Sequence, residues 1–121
     1  MNSFNFGRKV EICGEIYYLS RDMEKVAEAM KQCSEKMMEL SGDQSISKEA
    51  MMDAVREKSR ETIDTVLGAG AFERIFAEEE ADILNLMSLV DFITEEINQW
   101  KTELAAKVMA GKAMLEKRNE R

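Results

Sequence analysis

At 121 residues, 45% hydrophobic and 34% charged, the chain has the size of one domain, which buries roughly two thirds of the surface its unfolded form would expose. A formal charge of −7 and a pI of about 4.8 speak against nucleic-acid binding, which needs a basic face to neutralise phosphates. The chain has no histidine, the commonest general base and metal ligand, and two cysteines make neither a disulfide framework nor an all-thiolate zinc site.

The opening MNSFNFGRK contains no apolar stretch of the kind that begins a secretory signal. The apolar run from Ile83 to Val90 is too short to span a bilayer. A reducing cytoplasm and no membrane partner are therefore expected. Residues 4–19 alternate with period two, which predicts a β-hairpin. Cys13-Gly14 sits where a two-residue loop would carry Asn-Gly or Asp-Gly. That loop pairs Ile12 with Glu15 and Val10 with Tyr17. Val10, Ile12, Tyr17 and Leu19 then form one face, with Ile16 and Tyr18 on the other. Phe4 and Phe6 extend the first face toward the N-terminus.

A first helix begins after Asp22, a good N-cap, and ends at Gly42. Met23, Met30 and Met37 recur at seven, with Val26, Cys33 and Leu40 between them, giving a buried stripe. A second helix runs from an N-cap at Ser47 to Leu67. Its polar middle, REKSRETIDT, predicts a surface position with one narrow buried edge. Then comes VLGAGAFERIF. Gly68 is placed to end the second helix in a left-handed conformation, and Gly70 to reverse the chain. Phe72, Ile75 and Phe76 share a face of a short helix that plugs the turn onto the core. No Lys-Ser/Thr follows, so the turn is not a phosphate loop.

The last helix begins near Asp82. Ile83, Val90, Ile97 and Leu104 repeat at seven, with Leu86, Ile93 and Trp100 between them. Leu84, Met87, Leu89 and Phe92 make its first half apolar on further sides, which predicts a central position. Its second half keeps only the seam and is expected to project or to meet a partner. The fold class that results is α+β, mostly α. It comprises a hairpin over 4–19, a helical region over 22–110 with three main helices and one short one, and a charged, fraying tail over 111–121.

The carboxylates Glu78, Glu79, Glu80 and Asp82, then Glu95 and Glu96, are the only enzyme-like cluster. Thirteen helical residues separate Asp82 from Glu95, or about 20 Å, so the two groups do not share an ion. No catalytic, metal or cofactor-binding residue is expected. With 10 methionines in the chain, surplus apolar surface is the more informative feature. Met23, Met30 and Met37 have an explanation as core; Met38 and Met52 flank the stripes and are candidates for a partner surface.

In order and character these elements resemble the tail assembly chaperones of long-tailed phages and prophages. VEICGEIYYL is similar to their opening hairpin, VLGAGAFERIF to their Gly-x-Gly-x-aromatic turn, and DILNLMSLVDFITEEINQW to the long helix after it. The resemblance implies a non-catalytic chaperone in the bacterial host cytoplasm, absent from the mature virion. It would hold the tape measure protein soluble and help recruit the major tail protein. The partner-binding candidates are Ile16, Tyr18, Met38, Met52, Ile97, Trp100 and Leu104, with Gly68, Gly70, Phe72 and Phe76 as the structural turn. The competing reading is a dimeric coiled-coil adaptor, in which the Ile97–Trp100–Leu104 seam closes a homo-oligomer.

Overall fold

Period-two alternation does produce a two-stranded antiparallel hairpin, β1 (Lys9–Ile12) and β2 (Glu15–Tyr18), in the computed structural model, which describes residues 7–77 and 80–119. The register pairs Val10 with Tyr17 and Ile12 with Glu15. Val10, Ile12, Tyr17 and Leu19 are buried, while Ile16 and Tyr18 face outward. Phe4 and Phe6 lie outside the described residues. Cys13 and Gly14 both have positive φ, +51° and +81°, the pattern of a type I′ turn. A cysteine therefore keeps the turn type that Asn would give, and its Cβ carries the steric penalty of a left-handed residue. Cys13→Asn should stabilise the fold by about 0.5–1 kcal/mol, read as a higher midpoint in urea; a lower midpoint would mean that Cys13 makes a favourable contact.

Four helices follow: α1 (Met23–Gly42), α2 (Lys48–Leu67), α3 (Ala71–Ile75) and α4 (Ile83–Asn119). Side-chain oxygens cap the three long ones. Asp22 accepts from Lys25 N at 3.1 Å, Ser47 from Ala50 N at 3.1 Å, and Asp82 from Asn85 N at 2.8 Å. The fold is α+β and mostly α. Its hairpin and helices share one apolar core that includes Leu19, Val26, Ile63, Phe72, Leu86 and Ile93.

The glycine turn works somewhat differently from the expectation. Gly68 ends α2 at φ +109° and ψ 154°, so its φ is positive but it is not left-handed helical. The left-handed residue is Gly70, at φ +83° and ψ −1°, immediately before α3. Asp64, one turn before the end of α2, fixes the turn from both ends. Its carbonyl accepts from Gly68 N at 3.0 Å, and its carboxylate accepts from Phe72 N at 2.9 Å. A Cβ at Gly68 would meet nothing within 4 Å, so the cost of a side chain there is purely conformational. Gly68→Val should destabilise by about 1 kcal/mol or more, measured by thermal melting; an unchanged melting temperature would refute the backbone account.

Two expectations about helix placement are reversed. The central helix is α2, which packs against α1, α3 and α4. Val55, Ser59, Thr62, Ile63, Val66 and Leu67 are all buried along it. Its polar letters conceal a core face because Ser59 and Thr62 are small; Thr62 also donates its hydroxyl back to Lys58 O at 2.8 Å. Conversely, α4 is not central, because Leu84, Met87 and Phe92 are exposed. Only its Leu86–Leu89–Ile93–Ile97 side reaches the core. Nor does α4 stop at Gly111: it continues to Asn119, and every residue from 101 to 115 is exposed. The charged segment from Gly111 is therefore the outer part of a projecting helical arm, because one glycine costs only about 1 kcal/mol in an otherwise good helix sequence.

Candidate functional site

Because α1 and α4 pack chiefly on α2 rather than on each other, a groove of about 510 Å³ opens between them. Met30, Cys33 and Met37 of α1 form one wall, and Leu86, Met87, Val90 and Ile97 of α4 the other. Val55 and Ser59 of α2 form the floor. Three methionines in one groove give a lining that adapts to varied apolar surfaces. Ser59 is fully buried and its Oγ has no hydrogen-bond partner among the described residues, so the floor carries one unused polar group. Lys31, Asp91 and Lys101 stand at the rim. Exposed carboxylates at Glu28, Glu35 and Glu95 lie on the same two helices.

The hairpin is fastened to α4 away from this groove. Arg8 donates to Glu96 at 2.8 Å, Glu103 at 2.7 Å and Gln99 at 3.3 Å, three residues along one side of the helix. The hydrogen bond to Glu96 holds the Arg8 guanidinium above its ordinary pKa. Arg8 thus ties the outer end of β1 to the root of the projecting arm. Its place in the alternation, as a charge interrupting an apolar face, was the only sign of this in the sequence.

The partner-surface candidates separate into distinct places. Ile16 and Tyr18 are exposed on the outer face of the hairpin, at 52% and 42%, and do not line the groove. Met38 is exposed on α1 immediately after the groove residue Met37. Met52 is half-buried, one turn before Val55 on α2. Ile97 is a core residue, only 5% exposed, so it is not free surface; its edge lines the groove because the α4 seam turns inward over its first half. Trp100 is half-buried against the core, and Leu104 begins the exposed arm. Met30 and Met37 had been assigned to the core and are instead the half-buried wall of the groove. The available signal was residue type, since the fully buried line of α1 is Val26, Cys33 and Leu40 while the adjacent line is methionine.

Phe72, Ile75 and Phe76 do form the plug. Phe72 and Ile75 are buried, the Phe72 and Phe76 rings lie 4.9 Å apart, and the Arg60 guanidinium sits 5.4 Å from the Phe72 ring. Burial pushes the Tyr17 phenol above its usual pKa, opposed by the Arg74 guanidinium 5.0 Å from its ring. These are packing features rather than reactive ones.

Among the described residues no group of three or more Cys, Asp and Glu is placed to hold a metal ion. Glu78 and Glu79 lie outside the described residues. No described helix is long and apolar enough to cross a membrane.

Residues 20–121 match the model of a family of unknown function, DUF6673. The chain belongs to this family. All of the groove residues and the whole arm lie within the matched segment. No curated protein and no solved structure matches the chain.

Proposed function

We propose that this member of DUF6673 is a tail assembly chaperone that holds a helical segment of the tape measure protein in the groove between α1 and α4. The observation that carries the proposal is the groove itself, apolar, lined with methionine and open along two helices. An amphipathic client helix would lay its apolar side between the two walls, as helix-in-groove recognition requires. Methionine walls suit a client that offers many similar segments rather than one epitope. The net charge of −7 favours basic client segments and makes capture weaken with salt. In this role the protein acts in the host cytoplasm without catalysis or cofactor. It hands the client on to tail tube assembly, where the major tail protein polymerises, and does not remain in the virion.

Co-expression with fragments of a tape measure protein encoded beside it tests this reading. The soluble fraction of at least one fragment should rise with the wild-type chain and not with an unrelated acidic helical protein. The hairpin variant Ile16→Asp/Tyr18→Asp should solubilise the client as well as wild type does, because that face lies outside the groove. No solubilisation of any fragment would leave the coiled-coil adaptor ahead, a reading favoured by the exposed apolar residues of the arm. Gene order separates the two as well, since a chaperone gene should lie between those of the major tail protein and the tape measure.

A further inference from the structure

The arm of α4 is itself an amphipathic helix, tied at its root to Arg8 through Glu103, and its apolar stripe is exposed. Leu104, Val108 and Leu115 are exposed at 38%, 70% and 61%. At 100° per residue they fall on the line of Leu86, Val90 and Ile97, so the stripe that enters the body continues beyond it, bare. Gly111 lies on the same line, and Lys107 and Lys112 flank it on either side.

We infer that the arm of one copy of this chain occupies the groove of a second copy, and reciprocally. Two observations carry this. The first is length. The bare stripe from Leu104 to Leu115 spans about 16 Å, and the groove wall from Leu86 to Lys101 about 22 Å, at 1.5 Å per residue.

The second is charge. Residues 101–121 hold six Lys/Arg and three Glu, while residues 1–100 hold eleven Lys/Arg and twenty-one Asp/Glu. The arm is thus a basic helix on an acidic body. Asp91, at the groove rim, is the carboxylate that a lysine flanking the stripe meets when the stripe is seated.

The arm cannot serve its own groove, because α4 is one continuous helix from Ile83 to Asn119 and does not fold back. A two-fold axis near Trp100 and Lys101 seats both arms at once, with Leu104 of one copy opposite Ile97 of the other and Leu115 opposite Leu86. The groove is then closed in the free protein, and any other helix that binds there must displace the arm.

The test needs no client, so its outcome is separate from that of the chaperone reading. Light scattering at tens of micromolar and low salt should give a dimer for wild type, with dissociation promoted by salt. Leu104→Asp/Val108→Asp, on the exposed arm, should be monomeric, as should Met37→Asp/Val90→Asp in the groove. An equimolar mixture of the two variants should recover a dimer, since one retains a groove and the other an arm. Amide exchange over residues 104–115 should be slow in wild type and at least tenfold faster in the arm variant. This readout decides the question even if the groove variant fails to fold. A monomeric wild type, or a dimer that survives the arm substitutions, overturns the inference.

Discussion

Phe72→Ala is expected to lower stability by about 3–5 kcal/mol, the range for truncating a buried phenylalanine. The residue is 4% exposed, and its ring meets Phe76 on one side and the Arg60 guanidinium on another. Its amide nitrogen is also the donor to Asp64, so side chain and backbone together hold α3 against the end of α2. Loss of the ring would leave a cavity at the end of α2 where Ser20 N also bonds Val66 O at 2.8 Å, so loosening there reaches the exit of the hairpin. Thermal melting should show a drop of roughly 10 °C or more for a chain of this size. A loss below about 1 kcal/mol would mean that the plug is not part of the cooperative core.

The second large effect is expected in client capture. Met37→Asp/Val90→Asp places a carboxylate on each wall of the groove. Binding an apolar helix there would require desolvating both charges, at several kcal/mol together. Capture of a tape measure segment should fall by at least tenfold, which is about 1.4 kcal/mol. Ile16→Asp/Tyr18→Asp should leave it within twofold. Fluorescence titration of a labelled client peptide at fixed ionic strength measures both variants. The reverse order, with capture lost from the hairpin variant and kept by the groove variant, would move the binding face to the outside of β1 and β2.

The hairpin was legible because its signals agree: alternation, a two-residue loop ending in glycine, and a register that buries Val10, Ile12, Tyr17 and Leu19 together. The caps at Asp22 and Ser47 were equally plain. Helix centrality was not, because periodicity reports which residues can share a face and not whether a neighbour covers that face. Leu84 and Met87 are apolar yet exposed, whereas Ser59 and Thr62 are polar and buried on the helix against which the other helices pack. The groove was hidden for a related reason. It is a gap between helices more than 40 residues apart in sequence, and nothing local marks Met30 and Val90 as its opposite walls. The extension of α4 past Gly111 was missed because glycine was weighted as a stop, although Lys107, Ala110, Lys112, Ala113, Met114 and Leu115 around it favour helix.

Methionine methyl NMR tests the central claim most directly, because the groove carries its own reporters. Met30, Met37 and Met87 line it, whereas Met38 is on the outer side of α1 and Met109 and Met114 are on the arm. Adding a tape measure helix to chain labelled at the methionine methyl groups should shift the Met30, Met37 and Met87 signals in a saturable, salt-sensitive way. Displacement of the arm would move Met109 and Met114 toward their positions in the Leu104→Asp/Val108→Asp variant. Saturable client binding that leaves Met30, Met37 and Met87 unmoved would contradict the account.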